Sequence, residues 1–344
     1  MITIRRLINP IARLVHTMAL PSSQKAIRIH ETGGPEVIRY EDVPVPEVSD
    51  TDVLLKNSYG GVNFIEAYFR KGLYKAPLPM TLGREAAGQV AQVGAKVKNF
   101  KVGDRVAYSQ AGAFAQYTVV AENGNIVKIP ANLSEEKAAA SLIQGLTAYT
   151  MLKESYEVKK GDTILVHAAA GGTGAMIVQF GKLFGATVIG TTSSPEKAKI
   201  AKEAGADVVI NYRTEDVIAR VLEITNGKGV EAVFDSVGAD TWDISTAVLA
   251  KSGTLVSFGN ASGPVPLISL LSLPKNIKIT RPTLFNVITD AKDRDFYTAG
   301  LFDLLAKGTI KINISKVYPL SDFATATTDL EGGKTTGKLL LKLD

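Results

Sequence analysis

A glycine-rich turn near the middle of the chain, residues 167–174, carries the groups best suited to bind phosphate. It reads His-Ala-Ala-Ala-Gly-Gly-Thr-Gly, follows a strand-like run at 162–166 and opens an apolar-periodic segment that reaches Gly185. Because the first N–H groups of a helix are unpaired, this order of strand, turn and helix predicts a dinucleotide diphosphate site. In the G-x-G-x-x-G frame, Ala169 takes the first glycine position. The predicted contacts are Ala170, Gly171, Gly172, Thr173 and Gly174.

Residues about 20 positions further on indicate which dinucleotide binds. The next strand ends at Gly190 and is followed by Thr191, Ser193 and Lys197, where NAD-binding proteins carry an acid for the ribose hydroxyls. The missing acid and the lysine both favour NADPH, because a lysine attracts the 2′-phosphate that an acid would repel. We expect these four residues and Tyr212 to contact the cofactor, with Lys197 on the phosphate. The alternative is that Lys197 is one more solvated lysine on its helix.

Strand and helix patterns alternate after the turn. The further strands are predicted at 206–212, 230–236, 253–258 and 276–281, and the helices at 196–205, 215–225 and 241–250. Such alternation predicts an α/β fold with a doubly wound parallel sheet, so residues 146–281 form a Rossmann domain. Ligands bind at the carboxyl ends of these strands, so Ser236, Phe258 and Gly259 should line the nicotinamide half of the site. For Phe258, an ordinary core position is the alternative.

The residues on either side predict a second, β-rich domain. Short β-branched runs at 52–57, 88–93, 104–108 and 114–120 are separated by Gly, Pro or Asn, as is typical of small antiparallel β-domains. The tail has a helix-like segment at 294–306 and a strand-like end at 337–341. We therefore predict that residues 23–145 and 282–344 form one domain into which the Rossmann domain is inserted.

Cysteine and histidine content excludes zinc sites of the Cys/His type. The chain has no cysteine and only His16, His30 and His167, so no metal ligands are predicted. Without a Lewis acid to polarise a carbonyl, a reductase needs a substrate that accepts electrons readily, which quinones do and activated enones do less easily. His167 is the remaining acid/base candidate, but its place between a buried strand and the turn favours a hydrogen-bonded structural histidine.

Several motifs together resemble a known family. They are Gly61–Tyr68, Gly83–Gly88, Ala168–Gly174, Asp235–Gly238, Ser257–Asn260 and Thr280–Pro282. With these motifs in unbroken order over residues 24–344, the chain resembles the zinc-free medium-chain dehydrogenase/reductase superfamily, specifically its zeta-crystallin-like NADPH:quinone oxidoreductases. The resemblance implies a GroES-like catalytic domain with an inserted nucleotide-binding domain, and zinc-independent electron or hydride transfer from NADPH to a quinone. Arg84 stands where zinc-dependent relatives carry a ligand histidine.

The resemblance also implies roles for individual residues. Asn63, Tyr68 and Tyr74 are implied as catalytic residues around the nicotinamide and the substrate, where a tyrosine hydrogen-bonds a quinone oxygen as it gains charge. Both tyrosines could equally be pocket walls that only stack. Asn63, Tyr68, Thr147 and Lys338 are implied as cofactor contacts.

Partners and rival functions also follow from the resemblance. It implies a homodimer joined through the nucleotide-binding domains, which the edge strand at 276–281 could form. One rival function is NADPH-dependent reduction of activated C=C bonds in alkenals or enoyl thioesters. Another is a crystallin-type structural role or binding of AU-rich RNA, but residues 31–344 contain 34 basic and 34 acidic residues and so lack a basic excess for RNA.

The N-terminal segment carries the whole net charge of +5. Residues 1–30 contain five Arg or Lys and no acid, which resembles a mitochondrial transit peptide in the predicted leader, residues 1–22. Met18 as an alternative start would give a cytoplasmic form, and a merely disordered tail is the alternative. No apolar run is long enough to span a bilayer.

Overall fold

The structure of the protein is a computed structural model and describes residues 20–344. The predicted leader therefore lies, except for its last residues, outside the described part. No helix among the described residues is long and apolar enough to cross a membrane.

The N-terminal part is built mainly from antiparallel strands, as predicted. The strands are β1 (Ser23–Ile29), β2 (Ile38–Pro44), β3 (Asp52–Val62), β4 (Met80–Thr81), β5 (Ala86–Val93), β6 (Arg105–Tyr108), β7 (Tyr117–Ala121) and β8 (Ile126–Lys128). The helices are α1 (Phe64–Arg70) and α2 (Glu135–Thr150). Long strand β3 pairs with both β5 and β7 and so organises the main sheet. Helix α2 begins where Ser134 Oγ accepts a hydrogen bond from the Lys137 N–H, and it crosses the predicted boundary at residue 145 without a break.

The middle part is the predicted parallel sheet. Its strands are β9 (Thr163–Val166), β10 (Thr187–Thr192), β11 (Val208–Asn211), β12 (Val230–Asp235), β13 (Leu249–Ser257) and β14 (Lys278–Thr280). The helices are α3 (Gly172–Leu183), α4 (Pro195–Glu203), α5 (Val217–Ile224) and α6 (Trp242–Val248). The strand order β11-β10-β9-β12-β13-β14, with every pair parallel, confirms the doubly wound Rossmann sheet.

The C-terminal part returns to the first sheet. Its elements are α7 (Leu284–Val287), α8 (Ala291–Ala306), β15 (Ile314–Pro319), α9 (Phe323–Glu331) and β16 (Lys338–Lys342). Strand β16 pairs antiparallel with β3, and β15 pairs parallel with β16. The chain thus leaves the β-rich domain, forms the parallel sheet and then returns to the β-rich domain.

Three apolar clusters stabilise this arrangement. One fills the interior of the β-rich domain, and a second covers one face of the parallel sheet. The third joins the two domains, because α2 packs against both α3 and α8 and shares a buried core with Ile164 of β9 and Leu340 of β16. The cleft between the domains is therefore held by continuous packing at its base.

Candidate active site

A deep cleft lies between the two domains, at the carboxyl ends of β9, β10, β12 and β13. It encloses about 770 Å³. The structure brings nearly all of the predicted site residues to its wall. They are Asn63, Tyr68, Tyr74, Thr147, Ala170, Gly171, Gly172, Thr173, Gly174, Thr191, Ser193, Lys197, Tyr212, Ser236, Phe258 and Gly259. The two exceptions are Gly190 and Lys338.

The glycine turn leaves the first N–H groups of α3 facing the cleft. Ala168 adopts a left-handed conformation with φ of 50°, and the Gly171 N–H donates to its carbonyl oxygen at 2.8 Å. A Cβ on Gly174 would lie 2.2 Å from that oxygen, and one on Gly172 would lie 2.2 Å from Gln144 Nε2. Only glycine fits at 174, where the clashing atom belongs to the backbone, whereas a side chain at 172 would require Gln144 to move. The turn fits a dinucleotide diphosphate.

Residues just before β16 bond to the glycine turn and to the start of α4. Gly337 N–H donates to the Ala170 carbonyl at 3.3 Å, and Lys197 Nζ donates to the Gly333 carbonyl at 2.8 Å. Ser194 caps α4 and accepts from the Lys197 N–H, so the lysine lies in the first turn of this helix. The half-exposed ring of Tyr212 lies on the same wall.

Asn63 is held by a fully buried ion pair. Its Nδ2 donates to Glu85 Oε1 at 2.8 Å, and its Oδ1 accepts from Lys338 Nζ at 2.7 Å. Lys338 also pairs with Glu85, and neither side chain is exposed. Glu85 Oε2 accepts from the Ile143 N–H of α2 at 2.7 Å. The Lys338 side chain therefore points into the domain interior and reaches the cleft only through Asn63, in contrast to the predicted cofactor contact.

Gly190 is needed for packing rather than for contact with the cleft. A Cβ at this position would lie 2.7 Å from the Ala169 Cβ, so β10 and the glycine turn can approach each other only without that side chain. Its neighbour Thr191 does line the cleft and lies 3.0 Å, Oγ1 to Nδ1, from His167.

His167 is buried and hydrogen-bonded at both ring nitrogens. Its second partner is Ser245 Oγ at 3.1 Å from Nε2, and Ser245 in turn donates to Asp235 at 2.7 Å. Burial holds the pKa of His167 below its ordinary value, although the charge of Asp235 acts in the opposite direction. A neutral, hydrogen-bonded histidine agrees with the structural interpretation of this residue.

The two tyrosines reach across the cleft. Tyr68 OH accepts from the Asn260 N–H at 2.9 Å, and Tyr74 OH accepts from Arg281 Nη2 at 2.8 Å. Their rings are in edge contact, with centroids 5.2 Å apart. Burial is the main cause that raises the pKa of Tyr68, so its hydroxyl keeps its proton near neutral pH and can donate it in a hydrogen bond.

Four further residues of the site were not predicted as such. Gln144, Arg84 and Arg281 line the cleft, and Glu85 lies directly behind Asn63. Glu85, Arg84 and Arg281 all belong to the motifs named above, so their place in a motif was the only available signal. Nothing in the local pattern shows that Glu85 meets Lys338, which is 253 residues away in the chain.

Residues 20–344 offer no group of three or more His, Asp or Glu side chains placed to hold a metal ion. His30 lies on the surface beside Glu41, and both nitrogens of His167 already have partners. His16 lies outside the described residues. The donor set therefore does not fit a resident zinc ion.

Family models and solved structures match most of the chain. Residues 49–131 match the alcohol dehydrogenase GroES-like domain, and residues 172–300 match the zinc-binding dehydrogenase domain. Quinone oxidoreductase of Pseudomonas aeruginosa is 44% identical over 322 residues, which are 92% of this chain and 99% of that protein. The chain belongs to the quinone oxidoreductases of the medium-chain dehydrogenase/reductase superfamily.

Two crystal structures from this family share the fold. The Pseudomonas syringae quinone oxidoreductase is 45% identical with a TM-score of 0.90, covering 93% of this chain and 99% of that one. The Escherichia coli quinone oxidoreductase, solved in complex with NADPH, is 42% identical with a TM-score of 0.90, covering 92% and 99%. These matches confirm the family and the GroES-like plus Rossmann architecture expected from the motifs.

Proposed function

We propose that the protein reduces quinones with NADPH as the electron donor. One observation carries this proposal: a single cleft joins a diphosphate-binding glycine turn to Asn63, Tyr68 and Tyr74, and the ribose position carries Lys197 instead of an acid. Relatives at 42–45% identity bear the name quinone oxidoreductase, and one of them was solved with NADPH. The rival activity on alkenals is not favoured by these names.

The nucleotide-binding domain would supply the binding site for NADPH. The N–H groups at the start of α3 would hold the diphosphate, and Lys197 with Tyr212 would hold the 2′-phosphate. Ser236, Phe258 and Gly259 at the ends of β12 and β13 would border the nicotinamide. Bound there, NADPH supplies the reducing equivalents.

The β-rich domain orients the quinone. The Tyr68 hydroxyl accepts from a backbone N–H, so its own proton remains free to donate to a quinone oxygen that gains negative charge. Asn63 is held in place by Glu85 and Lys338, so it would present a fixed side chain to the nicotinamide of bound NADPH. Because the donor set of residues 20–344 does not fit a metal ion that could polarise the substrate, an acceptor as reactive as a quinone suits this site.

An NADPH-oxidation assay tests this function. The purified protein is assayed with 9,10-phenanthrenequinone, with 1,4-naphthoquinone and with but-2-enal, before and after exhaustive chelation. We expect quinone turnover to exceed enal turnover and to survive chelation. Turnover of the enal alone, or a loss on chelation that zinc restores, would refute the proposal.

Tyr68→Phe tests the role of the hydroxyl. This variant keeps the ring and its contact with Tyr74 but removes the proton donor, so we expect kcat to fall by about tenfold or more with little change in NADPH affinity. A wild-type kcat in this variant would show that the Tyr68 ring only stacks in the pocket and that its hydroxyl has no catalytic role.

We propose further that the protein forms a homodimer through its nucleotide-binding domains. Strand β14 is the outer strand of the parallel sheet and pairs on one side with β13. The preceding segment exposes Leu267, Leu270 and Leu271 almost completely, at 105%, 79% and 97%. An edge strand beside exposed leucines is a surface that a second copy would cover.

The proposed location is the cytoplasm, with import into mitochondria depending on the leader alone. The relatives named above are bacterial proteins that share the fold. Fluorescent fusions that begin at Met1 and at Met18 test this, and mitochondrial signal from the Met1 form would support the transit peptide. RNA binding is not part of the proposal, because residues 31–344 carry no net charge.

A further inference from the structure

Arg84 differs from every other charged residue on the cleft wall. It lies in the loop between β4 and β5, and among the described residues it is the only charged side chain that the β-rich domain contributes to the wall. Its guanidinium carbon lies 4.1 Å from the centroid of the Phe69 ring, and Phe69 is in edge contact with Tyr74 at 5.6 Å. Arg84 therefore lies at the same end of the cleft as the two tyrosines.

No carboxylate pairs with Arg84 in the part of the chain that the structure describes. The acid that acts on it electrostatically is Glu66, which burial keeps at a pKa of about 8 and which is therefore mostly uncharged at neutral pH. The acids on the cleft wall, Glu215, Asp216 and Asp240, all belong to the nucleotide-binding domain and follow β11 and β12. The charge of Arg84 is thus left without a counter-ion inside the protein.

The half-buried guanidinium of Arg84 stacks on Phe69 but has no counter-ion among residues 20–344, so it can attract an anionic group that enters the cleft. Burial lowers the pKa of Arg84 from its ordinary value, but a guanidinium stays charged in proteins. The proposed binding sites for the phosphates of NADPH lie at α3 and α4, in the other domain. The cation of Arg84 therefore remains available to the second substrate.

We propose that Arg84 is an anion subsite for the electron acceptor. An acidic substituent of a quinone, such as a sulfonate, a carboxylate or an ionised ring hydroxyl, binds the guanidinium while the quinone ring lies beside Tyr68 and Tyr74. The planar fork of an arginine suits such groups, because it can donate two parallel hydrogen bonds. This inference rests on the proposed quinone reduction and adds the class of quinone that the site prefers.

The test compares two acceptors that differ by one anionic group. The ratio of kcat/KM for 1,4-naphthoquinone-2-sulfonate and for 1,4-naphthoquinone is measured in wild type, Arg84→Gln, Arg84→Lys and Arg39→Gln. Arg39 is exposed on β2 and does not line the cleft, so its variant removes the same charge elsewhere. Each variant is compared with wild type on the same acceptor, which cancels the difference in reactivity between the two quinones.

We expect Arg84→Gln to lose about ten- to hundredfold on the sulfonate and much less on the neutral quinone. Arg84→Lys should recover part of the loss, and Arg39→Gln should leave the ratio unchanged. Equal losses on both acceptors, or an unchanged ratio in Arg84→Gln, would overturn the subsite.

Binding of redox-inert naphthalene-2-sulfonate, followed by calorimetry, separates the subsite from the activity. Weaker binding to Arg84→Gln than to wild type supports the subsite even if neither quinone is reduced, a result that would refute the proposed function alone. Equal binding to the two proteins overturns the subsite while leaving quinone reduction intact. NADPH titration of the variant confirms that its fold is intact.

Discussion

Lys197 is the residue on which cofactor choice depends. Its ammonium group has a backbone carbonyl as its partner in this structure and lies where the 2′-phosphate is expected. Lys197→Ala removes a charge-assisted contact, so we expect the KM for NADPH to rise roughly ten- to hundredfold. The KM for NADH should change little, because NADH has no phosphate to lose.

The matched control is Lys199→Ala on the same helix. Lys199 is largely exposed, does not line the cleft and contacts only Glu203 at 3.9 Å. Equal weakening of both cofactors by Lys197→Ala would assign the lysine to the helix or the diphosphate.

Glu66 makes folding stability depend on pH. The side chain is buried, Oε2 accepts from the Asn63 N–H at 2.8 Å, and Oε1 has no hydrogen-bond partner within residues 20–344. Burial raises its pKa from 4.5 to about 8, against the opposing charge of Lys338. Between these two values the folded protein holds a proton that the unfolded chain has released, so stability falls as pH rises, by at most about 1.4 kcal/mol per pH unit.

Glu66→Gln should remove this slope. The glutamine carbonyl can still accept from Asn63, and no charge forms when the pH rises. We expect similar urea midpoints for wild type and variant near pH 5 and a higher midpoint for the variant at pH 8.5. Glu31→Gln, a change at an exposed acid, is the control, and parallel pH profiles for wild type and Glu66→Gln would contradict the assignment.

At the scale of the elements, the start of α3 has no room for an added side-chain atom at one of its glycines. A Cβ on Gly174 would lie 2.2 Å from the Ala168 oxygen, a backbone atom that cannot move without opening the turn. Gly174→Ala should therefore destabilise the protein by about 1–3 kcal/mol and weaken NADPH binding. At Gly171 the nearest atom would be 3.1 Å away, so Gly171→Ala should leave Tm close to wild type. Thermal unfolding with and without NADPH checks both, and equal Tm values for the two variants would refute the steric argument.

The elements of the parallel sheet could be predicted because their apolar runs alternate regularly with helical ones. Strand β13 begins at Leu249, not at 253, because Leu249 already pairs with Val230 across a register shift that local sequence does not reveal. Strands β1 and β2 were missed, since polar residues interrupt the apolar pattern in both strands and β2 is in addition largely exposed. The same limit applies to the site: the glycine turn is local and could be found, whereas the Glu85–Lys338 pair forms only when β16 joins β3.

At the scale of the whole molecule, two domains share one continuous core, and two tyrosine side chains bridge the cleft at its substrate end. Tyr68 and Tyr74 of one domain bond to Asn260 and Arg281 of the other. Because Arg281 directly follows β14, the proposed dimer edge and the substrate end of the cleft lie within a few residues of each other. A second copy that covers β14 would therefore also stabilise the position of Arg281, to which the Tyr74 hydroxyl bonds.

The proposed dimer predicts a specific response to one surface charge. Leu271→Glu places a carboxylate among the exposed leucines, where burial against a second copy would strip its water. We expect light scattering to give twice 36.6 kDa for wild type and one copy for the variant, with secondary structure retained. Val102→Glu, at a 55% exposed valine of the β-rich domain, is the matched control and should remain dimeric. A monomeric wild type would refute the dimer, and a Leu271→Glu protein that stays dimeric would place the contact elsewhere.

The dimer also predicts an effect on substrate binding. If dimerisation stabilises the position of Arg281 and Tyr74, the monomeric variant should show a higher KM for quinone than Val102→Glu, with an unchanged KM for NADPH.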